Sequence, residues 1–173
     1  EALYEQYWLP MQTTLGDDLT DFVRHYLIRA GAFVKQSEVY VTLKNRLANS
    51  DARLALKELA IFAGYYAKLR DPEQEPHQSL SAALVRLNRL DVTTVYPFLL
   101  NVYHDYARQV LSATALVDVL RVLENYLVRR FVCGAPTSEL NKIFPLLYRQ
   151  TQPQEATDFV PALKQTLQGK NYP

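Results

Sequence analysis

The sequence contains few of the residues around which small functional sites are commonly built. Among its 173 residues there is a single cysteine, Cys133, so no disulfide can form within the chain, which suits a reducing compartment. The five glycines are scattered, whereas a phosphate-binding loop needs several close together. The formal net charge of +1 lacks the strong basic bias of most non-specific nucleic-acid binders. Composition therefore argues against a disulfide framework and a nucleotide-binding glycine loop, and leaves a local basic face as the route to nucleic acid.

Long apolar runs are also missing. No stretch approaches the roughly 20 apolar residues that cross a bilayer. The first residues have neither the basic nor the apolar segment of a signal peptide. We therefore expect a cytoplasmic protein without a membrane partner. The sequence starts without methionine and ends at Asn171-Tyr172-Pro173, which we interpret as a piece of a longer polypeptide.

Hydrophobic residues, in contrast, make up 49% of the chain, and they recur with the period of an α-helix. The strongest pattern follows Ser112, a good N-cap residue, and places Leu116, Val119, Leu120 and Leu123 on one face. We find no convincing alternating pattern of the kind that indicates a β-strand. The sequence predicts an all-α fold, a mostly antiparallel bundle of about seven to eight helices.

Cap and turn residues set the expected helix boundaries. The predicted helices begin at or near Asp17 or Asp18, Ser37, Ser50, Ser79 or Ser81, Thr93 or Thr94, Ser112, Pro136, and shortly before Phe159. Gly134 fits the left-handed position that follows a helix end. Residues 1–173 are predicted to form one helical domain, with the polar, proline-bearing loop near 71–78 as the candidate division.

The histidines and the cysteine do not suggest a catalytic or metal site. His25, His77 and His104 have no partner at the spacing of zinc ligands, and we interpret them as surface or boundary residues. Cys133 follows a helix end, which does not activate a thiol, and it is predicted to be a small buried packing residue. We predict no catalytic residue, no metal ligand and no cofactor for this chain.

Tyrosine is unusually frequent, with twelve residues. Eight of them fall on predicted helices at core or boundary positions: Tyr26, Tyr40, Tyr65, Tyr66, Tyr96, Tyr103, Tyr106 and Tyr126. Exposed rings could stack on nucleic-acid bases. We favour the alternative that the rings are buried between helices while the hydroxyl groups reach water.

Two adjacent arginines, Arg129 and Arg130, close the strongest helix, and Asn141 and Lys142 lie at the start of the next one. Basic residues in a last helical turn are stabilised by the helix dipole, and a new helix start offers free N–H groups to an anion. We therefore name these four residues as candidate DNA or interdomain contacts. An intramolecular salt bridge is the alternative.

The segment 123–144 reads LENYLVRRFVCGAPTSELNKIF. An apolar helix ends in Glu-x-Tyr-Leu-x-Arg-Arg, Cys-Gly-x-Pro-Thr follows, and Asn-Lys comes next. This pattern resembles the one found in GmrSD-type restriction endonucleases. Upstream, Trp8-Leu9-Pro10 and the segments 19–27 and 38–40 resemble the helical middle of the same family, and a weaker similarity runs through most of the chain.

The resemblance implies a structural role for the motif residues Glu124, Cys133, Gly134, Pro136 and Thr137. Members of the family join a ParB-like N-terminal domain that uses a nucleotide to a helical region, and many end in a His-Asn-His-type nuclease domain that cuts modified DNA. This chain contains neither the Asp-Gly-Gln-Gln-Arg motif of the first domain nor the motif of the nuclease. The resemblance therefore covers the helical middle alone.

From this resemblance we expect a helical connector of a GmrSD-like anti-phage restriction protein, with the neighbouring domains of its parent chain as partners and DNA as a candidate partner. The fragment itself is expected to be no enzyme and to hold no cofactor, whereas its parent would be a restriction endonuclease and an NTPase. The alternative is a stand-alone helical protein-interaction module without a nucleic-acid role.

Overall fold

Apolar side chains spaced by three or four residues build helices along the whole chain that the structure describes. The computed structural model describes residues 2–151 and 159–169. These residues contain no β-strand, and the predicted all-α bundle is confirmed. The α-helices are α1 Leu9–Leu15, α2 Leu19–Ile28, α3 Val39–Ala48, α4 Ala52–Arg70, α5 Gln78–Asn88, α6 Tyr96–Ala107, α7 Ala113–Val132, α8 Leu140–Gln150 and α9 Phe159–Gln168.

Helix α1 is the one that the sequence pattern does not predict. It follows a π-helical turn at Tyr4–Trp8 and buries Met11 and Leu15. Gly16, at φ 51°, separates it from the next helix. Two buried side chains in seven residues are too weak a periodic signal to distinguish a helix from a loop.

Helix α6 lies at the centre of the bundle. It packs against α2, α4, α7 and α8. Eight of its twelve residues are buried. A helix that is apolar on nearly all sides is a buried one, since each large side chain removed from water contributes about 1.5–3 kcal/mol. Helix α7 packs against both α5 and α9.

Hydrogen bonds at the helix starts confirm one predicted cap and correct another. The Ser112 Oγ accepts from the backbone N–H of Ala115 at 3.1 Å, as predicted. Ser50 does not cap α4. Its hydroxyl donates to the carbonyl of Arg46 at 2.8 Å and so closes α3. The carboxylate of Asp51 is the cap of α4.

The start of α5 also differs from the prediction. His77, rather than Ser79 or Ser81, is the cap, because its Nδ1 accepts from the N–H of Leu80 at 3.4 Å. The Ser81 hydroxyl donates instead to the carbonyl of Pro72 at 2.8 Å. It thereby fastens α5 to the preceding loop. Within that loop, Pro72–Gln74 forms one 3-10 turn.

Five of the eight tyrosine rings that the sequence places on helices are buried between helices, as favoured from the sequence. The hydroxyl groups of Tyr103 and Tyr126 are buried as well, so for these two the expectation that the hydroxyl reaches water is wrong. Tyr26, Tyr66, Tyr96, Tyr103 and Tyr126 belong to the core. Tyr40 is a further correction, with 74% of its surface exposed. On α3 the buried side chains are Val39 and Leu43. These are four residues apart, so Tyr40 points about 100° away from their stripe.

No helix within the described ranges is both long and apolar enough to cross a membrane.

Candidate functional site

The segment 123–144 forms the junction between α7 and α8. Arg130 lies at its centre with only 3% of its surface exposed. Its Nη2 is 2.6 Å from the Glu139 Oε2 and donates to the Pro136 carbonyl at 3.0 Å. Its guanidinium lies 5.6 Å from the ring centre of Tyr126. Arg130 thus forms the intramolecular salt bridge that was the alternative to a DNA contact.

A glycine makes the sharp turn of this junction. Gly134 has φ 66°, which confirms the predicted left-handed position after the helix. The Ala135 N–H donates to the Arg130 carbonyl at 2.9 Å, and the Gly134 N–H donates to the Phe131 carbonyl at 3.1 Å. These two bonds are the Schellman arrangement, which satisfies the last carbonyls of a helix. Pro136 then leads into a short 3-10 turn at Thr137–Glu139.

Cys133 is exposed, so the prediction of a buried packing residue is wrong. The buried stripe of α7 includes Leu123, Tyr126, Leu127 and Arg130, and the side chains after Arg130 lie beyond the last covered turn. Phe131 and Val132 are exposed as well, at 84% and 76%. The junction therefore presents an apolar surface, which we call the Phe131–Val132 patch.

Glu124 connects α7 to its neighbour rather than to the junction. Its Oε2 lies 3.2 Å from Arg86 Nε of α5. Glu124 thus contacts a neighbouring helix and takes no part in the turn at Gly134.

The four candidate contact residues do not form one surface. Arg129 lines a cavity of about 320 Å³ between α7 and α9, together with Asp118, Arg121, Asn125 and Lys164. Asn141 and Lys142 line a different cavity of about 460 Å³. The two cavities share no lining residue. The structure brings Asn141 and Lys142 together and separates them from Arg129.

The larger cavity, which we call the α2–α8 cavity, is enclosed by three parts of the chain. Helix α2 contributes Arg24, His25 and Ile28, and the loop after it contributes residues 31–34. Thr93 and Thr94 of the turn before α6 form a second wall. The third wall is α8, with Asn141, Lys142, Pro145 and Leu146. Pro145 has no N–H, so it cannot donate the usual helical hydrogen bond to the Asn141 carbonyl.

Gly31 keeps the loop close to α8. It adopts φ 92°, and a Cβ at this position would lie 3.1 Å from Leu146 Cδ2 and 3.2 Å from Arg149 Nη1. Arg24 holds the far end of the same loop, because its Nε donates to the Val34 carbonyl at 3.2 Å. The loop of residues 31–34, which forms one wall of the cavity, is therefore held in place at both ends.

His25 is buried at 6% exposure, which corrects the prediction of a surface or boundary histidine. Its ring packs against Tyr66 and Tyr96, with centroids 5.8 and 5.7 Å away. Burial lowers the pKa of His25 to about 4; the Asp21 carboxylate opposes this shift, and Arg24 and Arg70 add to it. The ring is therefore uncharged at neutral pH.

The sequence did contain a signal for this burial. His25 lies three residues from both Phe22 and Ile28, and all three side chains are buried on one stripe of α2. Spacing to the apolar residues, rather than to other metal ligands, would have identified His25 as a core residue.

Another buried polar group has its partners within the fold. Glu75 lies between α4 and α6, where its Oε2 accepts a hydrogen bond from the Tyr103 hydroxyl and lies 3.7 Å from Lys68 Nζ. Its Oε1 accepts from the His77 N–H at 2.9 Å. In the part of the chain that the structure describes, no group of three His, Cys, Asp or Glu side chains is arranged to hold a metal ion.

The chain matches no family model, no curated protein and no solved structure.

Proposed function

We propose that this chain is the helical connector of a GmrSD-like anti-phage restriction protein and that it holds a nucleotide-using ParB-like domain and a nuclease domain in a fixed arrangement. The proposal rests on the resemblance of the segment 123–144. It is supported by the way in which the residues of that segment contact one another.

The observation that carries the proposal is the Arg130–Glu139 pair across the α7–α8 junction. Residues from two features of the motif, Arg-Arg and Gly-x-Pro-Thr, form this one turn. Arg130 donates to the Pro136 carbonyl, and Gly134 reverses the chain direction. A turn held by a buried arginine, its ion pair with Glu139 and a left-handed glycine fixes the angle between its helices. That rigidity is what a connector between two working domains requires.

The Phe131–Val132 patch supports the choice of a neighbouring domain as partner. A soluble domain rarely leaves large apolar side chains side by side in water unless another surface covers them. The patch lies directly on the junction that the resemblance identifies. The same patch also favours the second candidate function, a stand-alone protein-interaction module.

The decisive observation is the coding sequence on both sides of this chain. We expect an Asp-Gly-Gln-Gln-Arg motif upstream and a His-Asn-His-type motif downstream. Their absence would favour the interaction module and contradict the connector.

The patch is tested in the full-length protein by plating phage whose DNA carries modified bases on cells that express it. Phe131→Ser should abolish restriction while the protein accumulates normally. Val41→Ser is the matched control, since Val41 is also exposed, at 55%, but lies on α3. Full restriction by the Phe131→Ser variant would contradict a domain contact at the patch.

DNA contact by Arg129, Asn141 and Lys142 belongs to the proposal as a separate part. Fluorescence anisotropy with duplex DNA should give an affinity that falls as salt rises, because phosphate contacts release counterions. Lys142→Ala and Arg129→Ala should each weaken binding, whereas Lys57→Ala, an exposed lysine of α4, should not. An affinity equal to that of the wild type for Lys142→Ala and Arg129→Ala would show that these two residues do not contact DNA.

The chain alone is proposed to have no nuclease or nucleotide hydrolase activity. Metal-dependent DNA cleavage by the purified chain, lost on a point substitution within it, would contradict this part.

A further inference from the structure

The α2–α8 cavity combines the features of a ligand site. Its volume of about 460 Å³ falls in the range of small-molecule pockets, which are mostly apolar with a few polar groups. Ile28, Ala32, Phe33, Pro145 and Leu146 supply apolar wall. Phe33 is 77% exposed at this wall, so a large aromatic ring stands beside the cavity without cover.

The two charged side chains that line the cavity are cations, while the Asp21 carboxylate acts on His25 from outside the lining. Arg24 and Lys142 line it, and no acidic residue does. Within residues 2–151 and 159–169, neither cation forms a salt bridge, although Arg24 donates one hydrogen bond to the Val34 carbonyl. Cations at the mouth of a low-dielectric cleft raise the local concentration of anions.

Two polar atoms in the wall are buried and lack a hydrogen-bond partner among the described residues. They are the Nδ1 of His25 and the Oγ1 of Thr94. An unsatisfied buried polar atom costs about 1–3 kcal/mol, so such atoms are rare without a functional reason. Both residues line the cavity, and rotation about χ1 changes the direction in which the Thr94 hydroxyl points. Because burial holds the pKa of His25 near 4, its neutral ring can donate one hydrogen bond and accept another.

We propose that the α2–α8 cavity binds a small organic anion with an apolar body. The charged head lies between Arg24 and Lys142 and takes up hydrogen bonds from Thr94 and His25. The body lies against Ile28, Phe33 and Pro145 and covers the exposed aromatic ring. This site is independent of the connector role, since it does not use the Phe131–Val132 patch. It shares Lys142 with the proposed DNA contact, whereas Arg24 and Thr94 belong to the anion site alone.

The test is a titration of the ¹⁵N-labelled chain with 2-naphthoate, followed by two-dimensional NMR. Amide shifts should change in the loop 31–34, at Thr93 and Thr94, and at the start of α8. The dissociation constant should be on the order of 0.1 mM for a ligand of this size. The neutral 2-naphthamide should bind at least about fivefold more weakly, because it lacks the charge. Inorganic phosphate, which lacks the apolar body, should leave these shifts unchanged.

Substitutions separate the contributions of charge, hydrogen bonding and space. Lys142→Ala should weaken 2-naphthoate binding about fivefold, whereas Lys44→Ala on α3, outside the cavity, should have no effect. Thr94→Val keeps the shape and removes the hydroxyl. It should stabilise the free protein but weaken binding about threefold, a combination that a purely structural threonine would not give. Ala32→Trp should fill the cavity and abolish binding.

Three results would overturn the proposal. The first is the absence of shift changes at these residues at millimolar 2-naphthoate. The second is equal binding of the acid and the amide, which would leave an apolar cavity without preference for an anion. The third is a phosphate response as strong as that to 2-naphthoate. Each of these results leaves the genetic and plating tests of the connector unaffected.

Discussion

The side chains of Arg130 and Glu139 meet at 2.6 Å across the α7–α8 junction, yet their exposures differ greatly: 3% for the arginine and 46% for the glutamate. Removing the carboxylate leaves a buried guanidinium whose remaining acceptors, the Pro136 carbonyl and the Tyr126 hydroxyl, carry no charge. Removing the arginine instead lets the glutamate return to water. The cost of breaking the pair therefore depends on which partner is lost.

Glu139→Ala should lower the free energy of unfolding by about 2 kcal/mol, because it removes the charged hydrogen-bond partner of a buried guanidinium. Asp118→Ala is the matched control. It removes the partner of Arg121 from an exposed pair at 3.1 Å, and it should cost less than about 0.5 kcal/mol. Urea unfolding followed by far-UV circular dichroism measures both.

The double variant Glu139→Ala/Arg130→Met should be more stable than Glu139→Ala alone, since an apolar side chain of similar length replaces the unpaired charge. If the double variant is less stable than both the wild type and Glu139→Ala, the unpaired charge of Arg130 is not the cause of the stability lost in Glu139→Ala.

Helical periodicity was sufficient to predict the fold class and nearly every helix, because most helices bury a stripe of large side chains. The pattern was less informative about helix starts. Ser50 and Asp51 are adjacent, and both residue types cap helices well. The difference between them is that the Ser50 hydroxyl donates to the Arg46 carbonyl at the end of α3, which leaves Asp51 to cap α4. Such a choice depends on the preceding helix and not on the helix being capped.

Asp51→Ala should therefore destabilise the protein by about 1 kcal/mol, because the Asp51 carboxylate accepts from the N–H groups of Arg53 and Leu54 at 2.9 and 3.1 Å. Ser50→Ala should cost only a few tenths of a kcal/mol, since its hydroxyl bonds an exposed carbonyl. The denaturant midpoints of the two variants give the comparison, and the reverse order would return the cap to Ser50.

The candidate site was less predictable than the fold. Sequence identified Arg129, Arg130, Asn141 and Lys142 as one group because they are close along the chain. The reversal at Gly134 separates them: Arg130 points into the junction, and Lys142 faces the loop after α2. That loop lies more than a hundred residues earlier, so no local pattern could have joined it to α8.

His25 should make stability depend on pH. Its pKa is about 6.5 in the unfolded chain and about 4 in the folded protein. Between these values the unfolded state binds a proton that the folded state does not, so the free energy of unfolding falls as pH falls. The loss contributed by His25 from pH 7 to pH 4 should be about 3 kcal/mol.

His25→Phe keeps a ring against Tyr66 and Tyr96 and removes the titration. Its stability, measured by urea unfolding at a series of pH values, should fall less steeply between pH 7 and pH 4 than that of the wild type. Parallel curves for the two proteins would contradict the assignment of this loss to His25.

The glycines offer a last test, one in which the sign of the effect changes with position. Gly64 lies exposed within α4 with open space around it, so Gly64→Ala should stabilise by about 0.8 kcal/mol through helix propensity. Gly134→Ala meets no neighbour but must adopt φ 66°, which should cost about 1 kcal/mol. Gly31→Ala has φ 92° and also presses on Leu146 and Arg149, and it should cost about 2 kcal/mol. Equal losses for Gly31→Ala and Gly134→Ala in urea unfolding would show that the loop does not pack closely against α8, and the wall of the α2–α8 cavity would then not be fastened there.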